Sequence, residues 1–377
     1  MQKEKIIQEL EELKNDNRFR VIKTNDKSLY NFSSNDYLGL AHDKDLLQKF
    51  YQNYSFDNYK LSSSSSRLID GSYLTVMRLE RKVEEIYGKP CLVFNSGFDA
   101  NSSLIETFFN KNSLIITDRL NHASIYEGCI NSRAKILRYK HLDVSALEKL
   151  LKKYSKDYDD ILVVTETVYS MDGDCVEIKK ICNLKDEYKF NLMVDEAHSY
   201  GVYGYGIAYN EKLVDKIDFL VIPLGKAGAS VGAYVICDEI YKNYLINKSK
   251  KFIYSTALPP VNNLWNLFIL ENMINFQNRI EKFQELVTFS LSTLKKLNLK
   301  TKSTSHIISI IIGDNLNTVN LSNNLKELGY LAYAIKEPTV PKDTARLRIS
   351  LTADMKKEDI EKFFKTLKAE MKKIGVI

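Results

Sequence analysis

The stretch NLMVDEAHSYG, residues 191–201, decides the fold. Its apolar opening, Leu192, Met193 and Val194, ends on an acid, Asp195, and His198 follows shortly after. A short apolar run closed by a charge is the pattern of a strand buried on both faces, as in a parallel sheet. In open α/β sheets ligands bind beyond the carboxyl ends of the strands, so Asp195 and His198 fall where a site is expected. Outward from this stretch the same kind of run recurs at CLVF (91–94), SLIIT (113–117), ILVVTE (161–166), DFLVIP (218–223) and AYVIC (233–237). Helix-like segments such as LTVMRLERKVEEIYG (74–88) lie between several of them. Strands alternating with helices predict an α/β domain with a mostly parallel sheet.

The ends of the chain read differently. Ile6, Ile7, Leu10 and Leu13 repeat at a helical period over residues 2–16. Residues 261–298 read as helical. IISIIIGD (307–314), a helix near 317–328, LAYAI (331–335), RLRISL (346–351) and a helix near 356–373 then predict a smaller C-terminal α+β domain. The expected division is an N-terminal helix and arm over 1–40, a large domain over 41–265 and a small domain over 266–377. A length of 377 residues suits more than one core. An apolar share of 44% and a charged share of 27% belong to an ordinary globular chain. The net charge of +6 is not gathered into a block, so no nucleic-acid arm is expected. No stretch approaches the roughly 20 apolar residues that span a bilayer, so no membrane partner is expected either. The N-terminal MQKEKIIQELEELKND lacks the apolar core of a signal peptide. Five cysteines with no C-x-x-C pair argue against a disulfide framework or a structural zinc site, and a cytoplasmic location is expected.

Chemistry enters at IPLGKAGAS (222–230), after another strand. D-E-A-H also occurs in nucleoside triphosphatases, but those need an upstream G-x-x-x-x-G-K-[ST] loop, and Gly225-Lys226 has neither the earlier glycine nor the following hydroxyl. A lone lysine is most often a surface charge. A desolvated lysine among small residues can instead form a Schiff base. Paired with a carboxylate on the neighbouring strand, it makes the arrangement that holds pyridoxal 5'-phosphate (PLP). PLP also needs a phosphate site. FNSGFDAN (94–101) follows a strand and precedes an apolar-periodic segment, so Gly97 can turn the chain and open a helix start to an anion.

The sequence resembles the α-oxoamine synthase family of fold type I PLP enzymes from about Asn31 to the C-terminus. The resemblance rests on NFSSNDYLGL (31–40), SRLIDG (66–71), NSGFDAN (95–101), DRLNHASI (118–125), TETVYSMDGD (165–174), VDEAH (194–198), Gly225-Lys226, IYSTALPP (253–260) and PTVPKDTARLRISLTA (338–353). It implies that Lys226 holds the cofactor and that Asp195 keeps the pyridine nitrogen protonated. His198 and Ser170 would bond the phenolic oxygen, and His122 would stack on the ring. Gly97 and Phe98 would cradle the phosphate. Asn35 and Arg348 would engage the amino-acid carboxylate, with Thr339 a further substrate contact. Ser255 and Thr256 would reach the phosphate in a partner subunit, which implies a homodimer with shared active sites. Tyr37 reads equally as core packing.

The resemblance further implies a decarboxylative condensation of L-alanine with a pimeloyl thioester of coenzyme A or acyl carrier protein, a step of biotin biosynthesis. The same chemistry on glycine and acetyl-CoA is the alternative; a methyl group is worth only roughly 1–3 kcal/mol to a pocket. A catalytically dead binding protein is disfavoured by the intact set Lys226, Asp195, His198 and His122. Three departures stand out. Pro223 occupies the place of a phosphate-binding threonine, leaving Ser255, Thr256 and Ser96 as the available hydroxyls. A usually glycine-rich segment is serine-rich here, Ser62 to Ser66. An N-terminal arginine for the acyl substrate has two candidates, Arg18 and Arg20.

Overall fold

The computed structural model describes residues 2–22, 24, 26, 28–55 and 59–377. Contacts divide the chain into two units. One holds residues 36–169 and 175–281, the other residues 1–35, 170–174 and 282–377.

The first unit is built on a seven-stranded sheet. Its strands are β1 (Cys91–Phe94), β2 (Leu114–Asp118), β3 (Lys135–Tyr139), β4 (Ile161–Glu166), β5 (Asn191–Asp195), β6 (Phe219–Pro223) and β7 (Ala233–Cys237). They lie in the order β1-β7-β6-β5-β4-β2-β3. Only β7 runs against its neighbours, β1 and β6; the other pairings are parallel. The mostly parallel seven-stranded sheet matches the expected fold class. Residues of β1, β2, β4, β6 and β7 are all buried, which explains their unbroken apolar runs. β3 is the exception. KILRY lies on the sheet edge and is half-exposed, and its charged residues Lys135 and Arg138 hide it from a search for apolar runs. The helix Gly97–Phe108 packs Ala100, Leu104 and Ile105 into a core with Leu92, Ile115 and Val221.

The second unit carries a three-stranded antiparallel sheet. Its strands β8 (Ile307–Gly313), β9 (Tyr333–Ile335) and β10 (Ala345–Ser350) lie in the order β9-β10-β8. The expected strand over 331–335 is divided, because Tyr330–Leu331 pairs instead with Tyr30–Asn31. Phe32 stacks on Phe363 of the terminal helix Lys357–Lys373 at 3.9 Å between centroids. Residues 170–174 belong to this unit through polar contacts. Arg346, 4% exposed, places Nη1 2.6 Å from Asp172 Oδ1, and Thr304 N donates to the Gly173 carbonyl at 2.9 Å. Gly173 has φ +70, and a Cβ there would lie 1.8 Å from the Ile307 carbonyl oxygen, so the glycine is required.

The helix Gln2–Asn15 buries none of its residues. Among the described residues no helix is long and apolar enough to cross a membrane, and no cluster of His, Cys, Asp or Glu could hold a metal ion.

Candidate active site

Three strand ends and two helix starts of the first unit bring the chemistry together. Asp195 closes β5 and is 4% exposed. Its Oδ2 accepts from Asn101 Nδ2 at 2.6 Å and its Oδ1 from Ala197 N at 2.7 Å. Charge-assisted bonds of this kind hold a carboxylate in one orientation. The loop carrying Lys226 leaves β6, the parallel neighbour of β5. It is closed by bonds from Leu224 N to Gly232 O and from Ser230 N to Leu224 O, which leave Lys226 half-buried.

His198, 4% exposed, lies 2.7 Å through Nδ1 from the hydroxyl of Tyr37, itself fully buried. Tyr37 therefore does more than pack: its hydroxyl holds the His198 ring in one orientation. His122 caps the helix Ala123–Ser132, its Nδ1 accepting from Ser124 N at 3.2 Å. Its backbone N–H meets Glu166 Oε1 at 2.5 Å. Burial pushes the His122 imidazole below its ordinary value; the Asp195 charge opposes the fall and the Lys226 charge adds to it.

Glu166 is a further candidate that sequence reading missed. It closes β4, is 3% exposed, and is the register partner of Asp195. Paired residues of neighbouring strands project to one face, so two carboxyl groups stand side by side. Burial first, and then the Asp195 charge, lift the Glu166 carboxyl well above the usual carboxylate range. The strand-end rule that singled out Asp195 applies equally to Glu166. Asn101 was missed too, although it ends the quoted FNSGFDAN.

The candidate anion site lies at the start of the helix Gly97–Phe108. Ser96 caps it, accepting from Asp99 N at 3.0 Å and donating to Asp99 Oδ2 at 2.8 Å. The backbone N–H groups of Gly97 and Phe98 have no partner among the described residues. Two open donors at the positive end of a helix dipole suit an anion. Pro223 packs over this turn: a Cβ on Gly97 would lie 2.6 Å from Pro223 Cγ. The capping role occupies the Ser96 hydroxyl. Half-buried Ser255 and exposed Thr256 remain, on a segment tied to the turn by Asn95 Nδ2 donating to Thr256 O at 2.6 Å. The serine run holds this segment from its other side, with Ser63 Oγ on Leu258 O at 2.6 Å and Ala257 N on Ser65 O at 3.0 Å. Ser64 adopts φ +57, a left-handed shape that glycine would take more easily, and Ser62 Oγ holds it by accepting from Ser64 N at 3.0 Å.

In the second unit Arg348, 7% exposed, reaches Ser170 O at 2.6 Å, Asn35 Oδ1 at 3.1 Å and Ser350 Oγ at 2.8 Å. Asn35, Ser170 and Arg348 thus form one cluster. Thr339 accepts from Arg20 Nη2 at 3.1 Å, while Arg18 pairs with Asp16 at 2.5 Å.

The sequence profile described as "Aminotransferase class I and II" matches residues 27–367. A solved serine palmitoyltransferase from S. paucimobilis with bound PLP–myriocin shares the fold, with a TM-score of 0.89 at 24% identity, covering 99% of this chain and 98% of that one. The chain belongs to the class I and II aminotransferase family, in the α-oxoamine synthase branch of the PLP-dependent fold type I enzymes. Within that branch it is 39% identical over 376 residues to the Pasteurella multocida (strain Pm70) protein named "Putative 8-amino-7-oxononanoate synthase", covering 96% of this chain and 97% of the relative. The crystal structure of 8-amino-7-oxononanoate synthase from Francisella tularensis matches with a TM-score of 0.79 at 29% identity, covering 92% of this chain and 99% of that one.

PLP is the cofactor of this class, and the residues present fit it. A buried strand-end carboxylate, a lysine on the adjoining strand's loop, and two open N–H groups at a helix start are the donor set it needs.

Proposed function

We propose that the chain joins L-alanine to a pimeloyl thioester, releasing carbon dioxide and the thiol carrier and giving 8-amino-7-oxononanoate for biotin biosynthesis in the cytoplasm. The observation that carries the substrate choice is the near full-length identity of 39% with the P. multocida relative of that name. Asp195 beside the Lys226 loop supports the reaction class.

PLP supplies an electron sink for the negative charge that develops on the α-carbon of the amino acid. Lys226 would hold the cofactor, and its Nζ would take the α-proton of alanine. Asp195 keeps the pyridine nitrogen protonated, and its two donors hold it in place for that task. His198, set by Tyr37, and Ser170 bond the phenolic oxygen; His122 covers the ring. Gly97 and Phe98 take the phosphate, with Ser255 and Thr256 reaching it in the partner subunit of a homodimer. Arg348 and Asn35 engage the alanine carboxylate, and their mutual bond at 3.1 Å supports one shared task. The Arg20–Thr339 contact favours Arg20 over Arg18 as the acyl-chain arginine.

The test offers the purified protein with PLP each of L-alanine, glycine and L-serine with pimeloyl-, acetyl- and palmitoyl-CoA, and weighs the products. 8-Amino-7-oxononanoate from the first pair is expected. A product from glycine and acetyl-CoA alone would overturn the substrate assignment and leave the class intact. Repeating the assay with pimeloyl-acyl carrier protein then identifies the carrier.

A further inference from the structure

Between Asp195 and His122 lie two side chains with no assigned task. Asn101 is 2% exposed and Ser124 is fully buried. Asn101 Nδ2 lies 2.6 Å from Asp195 Oδ2 and 3.0 Å from Ser124 Oγ. Ser124 Oγ lies 2.8 Å from His122 Nδ1.

The first two directions follow from the carboxylate, and the third from a backbone N–H. A carboxylate only accepts, so the group of Asn101 that faces it is the amide NH₂; turning the side chain over would set its oxygen against the charge. That NH₂ has two hydrogens. One goes to Asp195, the other to Ser124 Oγ, which therefore accepts there. The hydroxyl hydrogen of Ser124 stays available to His122 Nδ1, 2.8 Å away. The backbone N–H of Ser124 points at the same nitrogen from 3.2 Å and can only donate. With two donors aimed at it, Nδ1 has no place for a hydrogen of its own.

We propose that Asn101 and Ser124 are positioning residues: a one-way relay from Asp195 that holds the His122 ring uncharged, with its single proton on Nε2. This deepens the reading of Asp195 and His122 as cofactor-binding groups and rests on it. The charges around His122 make such a device necessary. The Asp195 carboxylate favours a charged ring, while burial and the Lys226 ammonium oppose it. Glu166 takes the backbone N–H of the same residue. A charged imidazole would compete with the pyridine nitrogen for Asp195. The relay lets Asp195 be anchored from the His122 side by a neutral amide instead, and leaves Nε2–H as the one donor of the ring.

The chain has five histidines, few enough to resolve after ¹⁵N-histidine labelling of the full-length protein, with His122→Gln identifying the signal. Spectra are taken with and without bound PLP. The expected pattern at pH 7 is a neutral ring protonated on Nε2, which stays neutral well below the ordinary histidine value of about 6.5. Ser124→Ala and Asn101→Leu should each raise the His122 titration midpoint by at least about half a unit. Because the two act in series, the double variant should shift it no further than the larger single shift. A ring protonated on Nδ1, or charged at pH 7, in the unsubstituted protein overturns the relay without recourse to any variant. Singles that leave the midpoint unmoved, or that add in full, overturn it too. None of these readouts depends on turnover, so an unexpected amino-acid or acyl substrate would correct the proposed reaction and leave the relay standing.

Discussion

Pro223 ends β6 where a hydroxyl for the phosphate would be expected, and its ring lies against Gly97. The two residues are matched: the ring fills the space a side chain at 97 would occupy. Gly97→Ala must displace either the ring or the start of the helix, and PLP affinity should fall. Pro223→Thr removes the ring and restores a hydroxyl beside the two open N–H groups. Charge-assisted bonds are worth about 1.5–3 kcal/mol, so PLP should bind roughly tenfold tighter or better. Equilibrium dialysis of both variants measures this. An unchanged affinity in Pro223→Thr would mean that Ser255 and Thr256 already saturate the phosphate. In the role proposed for Asp195, Asp195→Asn keeps the shape but could not hold a proton on the pyridine nitrogen. Turnover of alanine should drop by roughly 10²–10³-fold, with the thermal midpoint little changed. Borohydride reduction followed by peptide mapping should place the cofactor on Lys226; label on any other lysine would remove the assignment.

Next to Asp195 on the same strand-to-helix connection, Glu196 has a different duty. It is fully buried, its Oε1 accepts from Ala208 N at 2.7 Å, and burial lifts its carboxyl to about 8. It thus caps the short helix Ile207–Asn210 as a neutral acid. The unfolded chain releases this proton near pH 4.5, the folded one near 8. The folded state therefore binds the extra proton throughout that window. The stabilisation is complete below pH 4.5 and is lost as the pH rises through 8. Urea melts at pH 5.5 and 8.5 should show this loss, and Glu196→Gln, which has no proton to lose, should flatten it. A variant with the same slope would place the pH dependence elsewhere. Such a group also shows what a sequence does and does not display. β1, β4 and β7 were legible as unbroken apolar runs because both of their faces are covered. β3 was not, since an edge strand needs no such run. Asp195 was legible because it ends a strand, and Lys226 because it lies in a Gly-Lys turn just after one. Asn101 and Ser124 take their place from the geometry of two helix starts, which one-dimensional spacing does not carry; Glu166 ends a strand as Asp195 does, and only its register pairing with Asp195 was hidden. Ser64 resolves the opposite way: serine stands where glycine is usual, and the backbone takes the left-handed shape regardless.

At the scale of the whole molecule, the first unit exposes Leu61, Leu68, Ile69, Leu74, Met77 and Tyr254. Exposed large apolar side chains of this kind suit the proposed homodimer. Sedimentation should show a dimer whose dissociation on dilution is accompanied by PLP loss, and a fully active monomer would refute it. The chain's path has a further outcome. It passes between the two units at 35/36, 169/170, 174/175 and 281/282, so neither unit is one continuous stretch. The five residues 170–174 are on loan to the second unit, anchored there by Arg346 and Thr304. A gene cut at codon 282 would give a fragment still carrying two orphaned pieces of the other unit, and a partner fragment lacking both. These units cannot be inherited, swapped or fused separately in the way that beads on a string can; a crossover inside this gene must preserve both halves at once.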